Sequence, residues 1–153
     1  MNQPNHSCMM DDPAAEWDFA MHLNNNLDAL WPLAEAVEGF GQQCGWTDAL
    51  IMQINLVLEE WVVNAITHGY PDAREGQISV YINHRQGIIT VCITDDGDAF
   101  DPFTVATPDL AMAIEDRPIG GLGIHLVRSY MDGYHYRRIG THNKVTLTKH
   151  FAP

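Results

Sequence analysis

A long helical pattern between Thr47 and Gly69 constrains the fold more than any other feature of this sequence. Its apolar residues recur at helical spacing, so one side of the helix must be buried against another element. Thr47 is a suitable N-cap, and Pro71 prevents the helix from continuing. The predicted apolar stripe consists of Leu50, Ile51, Ile54, Val57, Leu58, Trp61, Val62 and Ala65.

Strand patterns on both sides of this helix predict a sheet. The predicted strands cover residues 16–23, 77–84, 87–95, 134–139 and 144–150, and the further predicted helices cover 26–44 and 122–131. Short turns at Arg85–Gly87 and Gly140–Asn143 join consecutive strands, which therefore pair antiparallel. The prediction is an α+β sandwich with helices on one face of a mostly antiparallel sheet. The segment between 96 and 119 is long for a loop, which is typical of a lid or a binding loop.

Length and composition limit the class of protein. The 153 residues suit one domain with its own core, which we assign to 16–153, and the polar residues 1–15 predict a flexible tail. The net charge of -12 argues against direct nucleic-acid binding and against anionic membranes. We expect no signal peptide and no membrane span. Three cysteines without metal-ligand spacing are interpreted as reduced thiols, so the predicted location is the cytoplasm.

One face of the long helix carries polar residues at regular spacing. Glu60, Asn64 and His68 recur every four residues and therefore project from the same side, beside the apolar stripe. A carboxylate and an amide one turn apart suit a hard cation, because both supply oxygen ligands or orient water. A solvated helix face is the alternative interpretation, and these residues alone leave both open.

An acidic turn follows the apolar strand that ends near Asp95. A carboxylate at the end of a buried strand can accept a hydrogen bond from a ligand amine inside a pocket. Gly97 would let a flat ring approach the backbone closely. An ordinary Asp-Gly turn explains the same residues.

A glycine-rich segment, Gly120-Gly121-Leu122-Gly123, comes directly before the last predicted helix. Free backbone N–H groups at a helix start form an anion site, and glycines permit the close approach of phosphates. The segment matches neither the P-loop nor the dinucleotide-binding pattern, and a structural loop is the alternative. The order of the three features within one domain favours a site for ATP and a divalent cation.

These residues resemble the GHKL (Bergerat-fold) ATPases. The N box of that family is matched by Glu60 to Ala65, the D-x-G box by Asp95-Asp96-Gly97, and the G-x-G box by Gly121-Leu122-Gly123. The similarity is closer to the anti-sigma-factor serine/threonine kinases, as in LEEWVVNAITHGYPD and DDGDAFDP, and covers about residues 16 to 150. The resemblance implies a Bergerat sandwich, the histidine-kinase-like ATPase fold.

The resemblance also implies a role for each matching residue. Glu60 would be the catalytic base or would orient the attacking hydroxyl, and Asn64 would bind Mg²⁺. Asp95 would accept a hydrogen bond from the adenine amino group, with Gly97 beneath the ring. Gly121 and Gly123 would hold the phosphates of ATP while residues 98–120 close over them. Arg117, in this lid, either reaches a phosphate or is a solvated loop arginine, and His68 is interpreted as structural.

The function implied by the resemblance is phosphoryl transfer from ATP to a serine or threonine of a partner. The expected substrate is a STAS-type anti-sigma-factor antagonist, the expected alternative partner is a sigma factor, and a homodimer is expected. The alternative is a non-catalytic, ATP-gated binding module that sequesters or activates its partner. A bare ATPase subunit of a larger machine is disfavoured, because no transducer or middle domain accompanies the domain.

Overall fold

Five strands and three α-helices make up the part of the chain described by the computed structural model, which is residues 16–101, 103 and 121–151. The strands are β1 (Phe19–Asn24), β2 (Gln77–Arg85), β3 (Ile88–Asp95), β4 (Gly133–Ile139) and β5 (His142–His150). The helices are α1 (Leu30–Gln43), α2 (Asp48–Gly69) and α3 (Gly121–Tyr130). The sheet order is β1-β2-β3-β5-β4, and every pairing is antiparallel. The predicted α+β class is confirmed.

The core lies between one face of this sheet and the helices. The strand register places Ile82, Val91 and Leu147 side by side across β2, β3 and β5, and all three are buried. All eight residues of the stripe predicted for α2 are buried in the same cluster. Burial of this surface is the main favourable contribution to folding, at roughly 25 cal/mol for each Å² of apolar area.

Helix α2 begins and ends where its sequence predicts. The Thr47 hydroxyl accepts a hydrogen bond of 3.1 Å from the backbone N–H of Leu50, and the helix ends at Gly69. By length and composition alone, this helix could cross a membrane, which the sequence analysis did not expect. Its apolar stripe packs in the core instead, so the helix fits the role of a core helix.

The helix predicted over 26–44 has a different start. Asn26 is a cap, as expected, but its side chain accepts a hydrogen bond from the N–H of Asp28 at the start of a 3-10 turn, Leu27–Ala29. The α-helix begins only at Leu30. Pro32 explains the delay, because proline lacks an N–H and is tolerated only in the first turn of an α-helix.

Two hairpins differ slightly from their predictions. The β2–β3 turn consists of Gln86 and Gly87 alone, with φ of 53° and 75°, because Arg85 still pairs with Ile88. The second turn ends one residue after Gly140, so Asn143, which was assigned to the turn, belongs to β5. The predicted tail 1–15 and most of the predicted lid lie outside the described residues.

Candidate functional site

A small cavity lies between the C-terminal half of α2 and the ends of β3 and β5. Asn64 comes from α2 and Asp95 from the end of β3, so the fold brings together two residues that the sequence analysis assigned to one site. The lining residues are Trp61, Asn64, Ala65, Gly69, Ile93, Asp95, Asp98, Phe100, Tyr136, Asn143 and Val145.

Asp95 is buried, with only 5% of its surface exposed. Its Oδ1 accepts two hydrogen bonds of 2.9 Å, from the N–H of Gly97 and from the Asn143 amide. Burial raises the pKa of this carboxyl, and the hydrogen bond from Asn143 opposes that effect. Among the residues that the structure describes, none donates to Oδ2, so this oxygen is available to a hydrogen-bond donor of a ligand.

The neighbouring Asp96 has a separate structural role. Its Oδ1 accepts hydrogen bonds from the Tyr70 hydroxyl at 2.6 Å and from the N–H of Gln77 at 2.9 Å. Desolvation acts to raise the pKa of Asp96, but these hydrogen bonds outweigh it and hold the pKa below its usual value. The two adjacent carboxylates are therefore not equivalent: Asp95 lines the cavity, and Asp96 fixes the loop after α2.

Asn143 is a site residue that the sequence analysis missed. It lies directly opposite Asp95 in the β3–β5 register and is 6% exposed. Its amide also donates to the carbonyl oxygen of Asp98 at 2.8 Å, while its own oxygen accepts from the Tyr136 hydroxyl and, at 3.2 Å, from Arg138. A shorter predicted turn would have placed Asn143 in β5 opposite Arg138, but the pairing of β5 with β3, which brings it to Asp95, has no local sequence signal.

Gly97 lies where the acidic turn meets the end of α2. A Cβ atom at this position would be 2.8 Å from the Cα of Gly69 and 2.9 Å from Oδ1 of Asp95. The N–H of Asp98 donates to the Gly69 carbonyl at 2.8 Å, which holds the two backbones together. The glycine is thus required by contact between the turn and the helix, a reason that the sequence analysis did not consider.

The polar residues on one face of α2 differ in their position relative to the cavity. Asn64 is 4% exposed and lines the cavity. Glu60, one turn earlier, is half-buried and lies outside the described lining of the cavity. Burial raises the pKa of Glu60, and the adjacent Glu59 carboxylate adds to the effect. The ring of His68 stacks on Phe100, with 4.6 Å between the ring centroids.

The side chains at this site that could bind a metal suit a cation that is held mainly by a bound substrate and only partly by the protein. Within residues 16–101, 103 and 121–151, no three His, Cys, Asp or Glu side chains form a metal-binding group. The Asn64 side chain is buried in the lining of the cavity, and its amide oxygen is a suitable ligand for Mg²⁺. Mg²⁺ is commonly bound through few protein oxygens together with substrate phosphates.

Helix α3 begins one residue earlier than predicted, at Gly121. Gly121 and Gly123 therefore lie in its first turn, where backbone N–H groups have no intrahelical partner. The helix packs against α2, which carries Asn64. Arg117 and the glycine at 120 lie outside the described residues.

The cavity is small, with a volume of about 20 Å³. This is room for little more than one water molecule. Phe100 and Tyr136 contribute aromatic rings to its lining. A ring as large as a purine therefore enters only when these side chains move, and Phe100 stands at the start of the predicted lid.

Comparison with known proteins agrees with this geometry. Residues 23–149 match the family model of the histidine kinase-like ATPase domain. The serine/threonine-protein kinase BtrW of Bordetella bronchiseptica is 30% identical over 108 residues, which cover 71% of this chain and 76% of that protein. The serine-protein kinase RsbW of Bacillus subtilis is 27% identical over 72% of this chain and 70% of its own.

Two further proteins are also similar to this chain. The anti-sigma F factor of Clostridium botulinum is 29% identical over 98 residues, which cover 64% of this chain and 68% of that protein. The histidine kinase domain from the Erythrobacter litoralis EL346 blue-light activated histidine kinase has a TM-score of 0.48 and 19% identity, covering 82% of this chain and 61% of that chain.

The family match spans most of the described residues, including α2, the acidic turn and the start of α3. The predicted resemblance is therefore confirmed. The chain belongs to the histidine kinase-like ATPase domain family, with the serine and threonine kinases BtrW and RsbW among its relatives.

Proposed function

We propose that this protein is an ATP-dependent serine/threonine kinase that acts as an anti-sigma factor by phosphorylating a STAS-type antagonist. The observation that carries the proposal is the cavity that the buried side chains of Asp95 and Asn64 line together, with both hydrogen bonds to the Asp95 carboxylate ending on Oδ1. The names of the relatives, which are kinases and an anti-sigma factor, support this reading of the cavity.

The nucleotide in this proposal is ATP, with its adenine near Asp95 and its phosphates towards α3. Oδ2 of Asp95 accepts the hydrogen bond of the adenine amino group, while Asn143 holds the carboxylate in place. Backbone N–H groups of Gly121 and Gly123, in the first turn of α3, bind the phosphates. Arg117 supplies a positive charge from the lid.

The transfer step assigns separate roles to two residues of α2. Asn64 holds Mg²⁺, which when bound neutralises the charge that develops on the transferred phosphoryl group. Glu60 orients the attacking serine or threonine hydroxyl and accepts its proton. The raised pKa of Glu60 brings this carboxylate closer to the range in which a general base is efficient. Positioning and electrostatics dominate this type of chemistry.

The partners in this proposal are assigned by analogy with the relatives. The substrate is a STAS-domain anti-sigma-factor antagonist, the sequestered partner is a sigma factor, and the protein acts as a homodimer in the cytoplasm. The names RsbW and anti-sigma F factor suggest this class of regulator.

A non-catalytic, ATP-gated binding module is the second candidate. The observation in its favour is that Glu60, the proposed base, lies outside the described lining of the cavity. Both candidates share Asn64 and Asp95, so nucleotide binding does not distinguish them. Only phosphoryl transfer does.

The decisive experiment incubates the full chain with γ-labelled ATP, Mg²⁺ and purified STAS proteins encoded nearby. We expect label on a serine or threonine of one of them. Glu60→Gln should abolish the label and leave ATP affinity unchanged in calorimetry. Asn64→Ala should lower Mg²⁺-dependent ATP binding, and Glu35→Gln, an exposed site on α1, should behave as wild type. ATP binding without labelling of any STAS protein would favour the binding module.

A further inference from the structure

A groove lies between α1 and α2, on a part of the molecule separate from the cavity of Asn64 and Asp95. Its volume is about 570 Å³. Lining residues from both helices include Trp31, Glu38, Asp48, Met52, Leu56 and Glu59. None of these side chains contributes to the described lining of the nucleotide cavity.

The lining of this groove includes large apolar side chains that are exposed. Trp31 is 73% exposed and Met52 is 55% exposed. Single exposed apolar residues are common, but a grouped set around a concave surface is typical of an interaction site. Tryptophan and methionine are also residue types enriched in protein interfaces.

All the charged residues that line this groove are acidic. Glu38, Asp48 and Glu59 line the groove, and neither α1 nor α2 contains a lysine or an arginine. In the described part of the chain, none of these three carboxylates forms a salt bridge. The groove therefore combines an apolar interior with an uncompensated acidic rim.

From this combination we infer that the groove docks a basic amphipathic helix of a partner protein. Apolar side chains of that helix pack against Trp31 and Met52, and its lysines or arginines pair with Glu38 and Glu59. This is the helix-in-groove mode of recognition, with charge complementarity setting the specificity. The inference does not rest on the proposed kinase function.

Charge argues against the two occupants that the chain itself could supply. Residues 1–15 contain Asp11 and Asp12 but no lysine or arginine, so this segment would repel the rim. A second copy of the chain carries the same net charge of -12. Both occupants would add negative charge to a surface that already lacks cations.

The length of the groove sets the size of the partner helix. The lining residues on α2 run from Asp48 to Glu59, which at a rise of 1.5 Å per residue correspond to about 17 Å. A partner helix of about four turns covers this length, with anchors at positions i, i+3, i+4 and i+7.

The test uses three synthetic peptides of about 15 residues, matched to that length. The first places leucines on one helical face and lysines on the other, the second replaces the lysines with glutamates, and the third scrambles the first. Calorimetry and the NMR shift of the Trp31 indole N–H report binding to the full-length wild type. Trp31→Glu and Met52→Glu test the groove, and Ile88→Glu, at an exposed apolar residue of β3, is the matched control.

Binding of the lysine peptide alone, weakened at least tenfold by Trp31→Glu and unchanged by Ile88→Glu, would support the inference. Equal binding of the scrambled peptide would show attraction to net charge only and would overturn it. A tenfold gain in affinity on deletion of residues 1–15 would identify the tail as the occupant instead. Concentration-dependent dimerisation that Trp31→Glu abolishes would identify a second copy. Either result would overturn a partner helix, and ATP binding serves as the folding check throughout.

Discussion

The side-chain amide of Asn143 donates a hydrogen bond of 2.9 Å to Oδ1 of Asp95, across the paired strands β3 and β5. This bond and the one from Gly97 occupy the same oxygen. They hold the carboxylate in place, so the second oxygen could accept a hydrogen bond from a ligand without reorientation. Such preorganisation lowers the entropic cost of binding.

Replacing Asn143 with alanine should weaken ATP binding by about tenfold, since it removes the bond that orients Asp95. It also removes the hydrogen bonds of Asn143 with the Asp98 carbonyl and the Tyr136 hydroxyl, which should lower stability by about 2 kcal/mol. Calorimetry with ATP and urea denaturation measure the two effects. Thr141→Ala, in the exposed β4–β5 turn, should change neither. Unaltered ATP affinity in Asn143→Ala would show that Asp95 needs no such support.

Asp95→Asn should abolish ATP binding without loss of stability. The folded-state pKa of Asp95 is raised by burial, so the folded protein binds this proton more tightly than the unfolded chain. Its contribution is therefore most favourable below the ordinary carboxyl pKa and is lost as pH rises through the raised folded value. Asparagine carries no charge. Asp95→Asn should therefore be more stable than wild type at pH values above the raised folded pKa, where wild type carries the buried charge. A variant that is less stable at neutral pH and equal in acid would contradict this sign.

The pH dependence of phosphoryl transfer should follow Glu60. Because its pKa lies above the usual glutamate value, the rate should fall with acid at a higher pH than for an ordinary carboxylate. Glu59→Gln removes the neighbouring negative charge and should move this acid limb to lower pH, with Glu38→Gln on α1 as the control. If the acid limb of the pH–rate profile stays at the same pH in Glu59→Gln, a group other than Glu60 controls this limb.

Gly97→Ala should destabilise the fold by about 2 kcal/mol, in the range of overpacking effects. The new Cβ would lie 2.8 Å from the backbone of Gly69, which cannot yield as a flexible side chain could. Gly39→Ala is the matched control, because its Cβ would meet nothing within 4 Å. In the interior of α1, alanine is preferred over glycine by roughly 0.5–1 kcal/mol, so the control should gain stability. Urea denaturation of both variants, with similar m-values, checks this difference.

Features set by local sequence were predictable. The stripe of α2, its Thr47 cap and the pairing of consecutive strands depend on residues close together in the chain, and the structure confirms them. The shared location of Asn64 and Asp95 was predictable because both lie in recognisable motifs. The roles assigned to the site residues, which are Glu60, Asn64, Asp95, Gly97, Arg117, Gly121 and Gly123, all stay predictions.

Features set by distant contacts were not predictable. Asn143 looked like a turn residue, and only the register with β3 brings it to Asp95. The requirement for Gly97 comes from Gly69, the last residue of α2, which is distant in the chain. The exposed Trp31 also has ordinary helical spacing, so its position became evident only from the packing of α1 on α2.

Glu59 and Glu60 are consecutive on α2 and therefore point about 100° apart around the helix. One carboxylate lines the groove, and the other lies one turn from Asn64. A cation bound beside Glu59 would offset its charge and allow Glu60 to ionise at lower pH. Docking and proton release would then be thermodynamically coupled, so that each favours the other to the same extent.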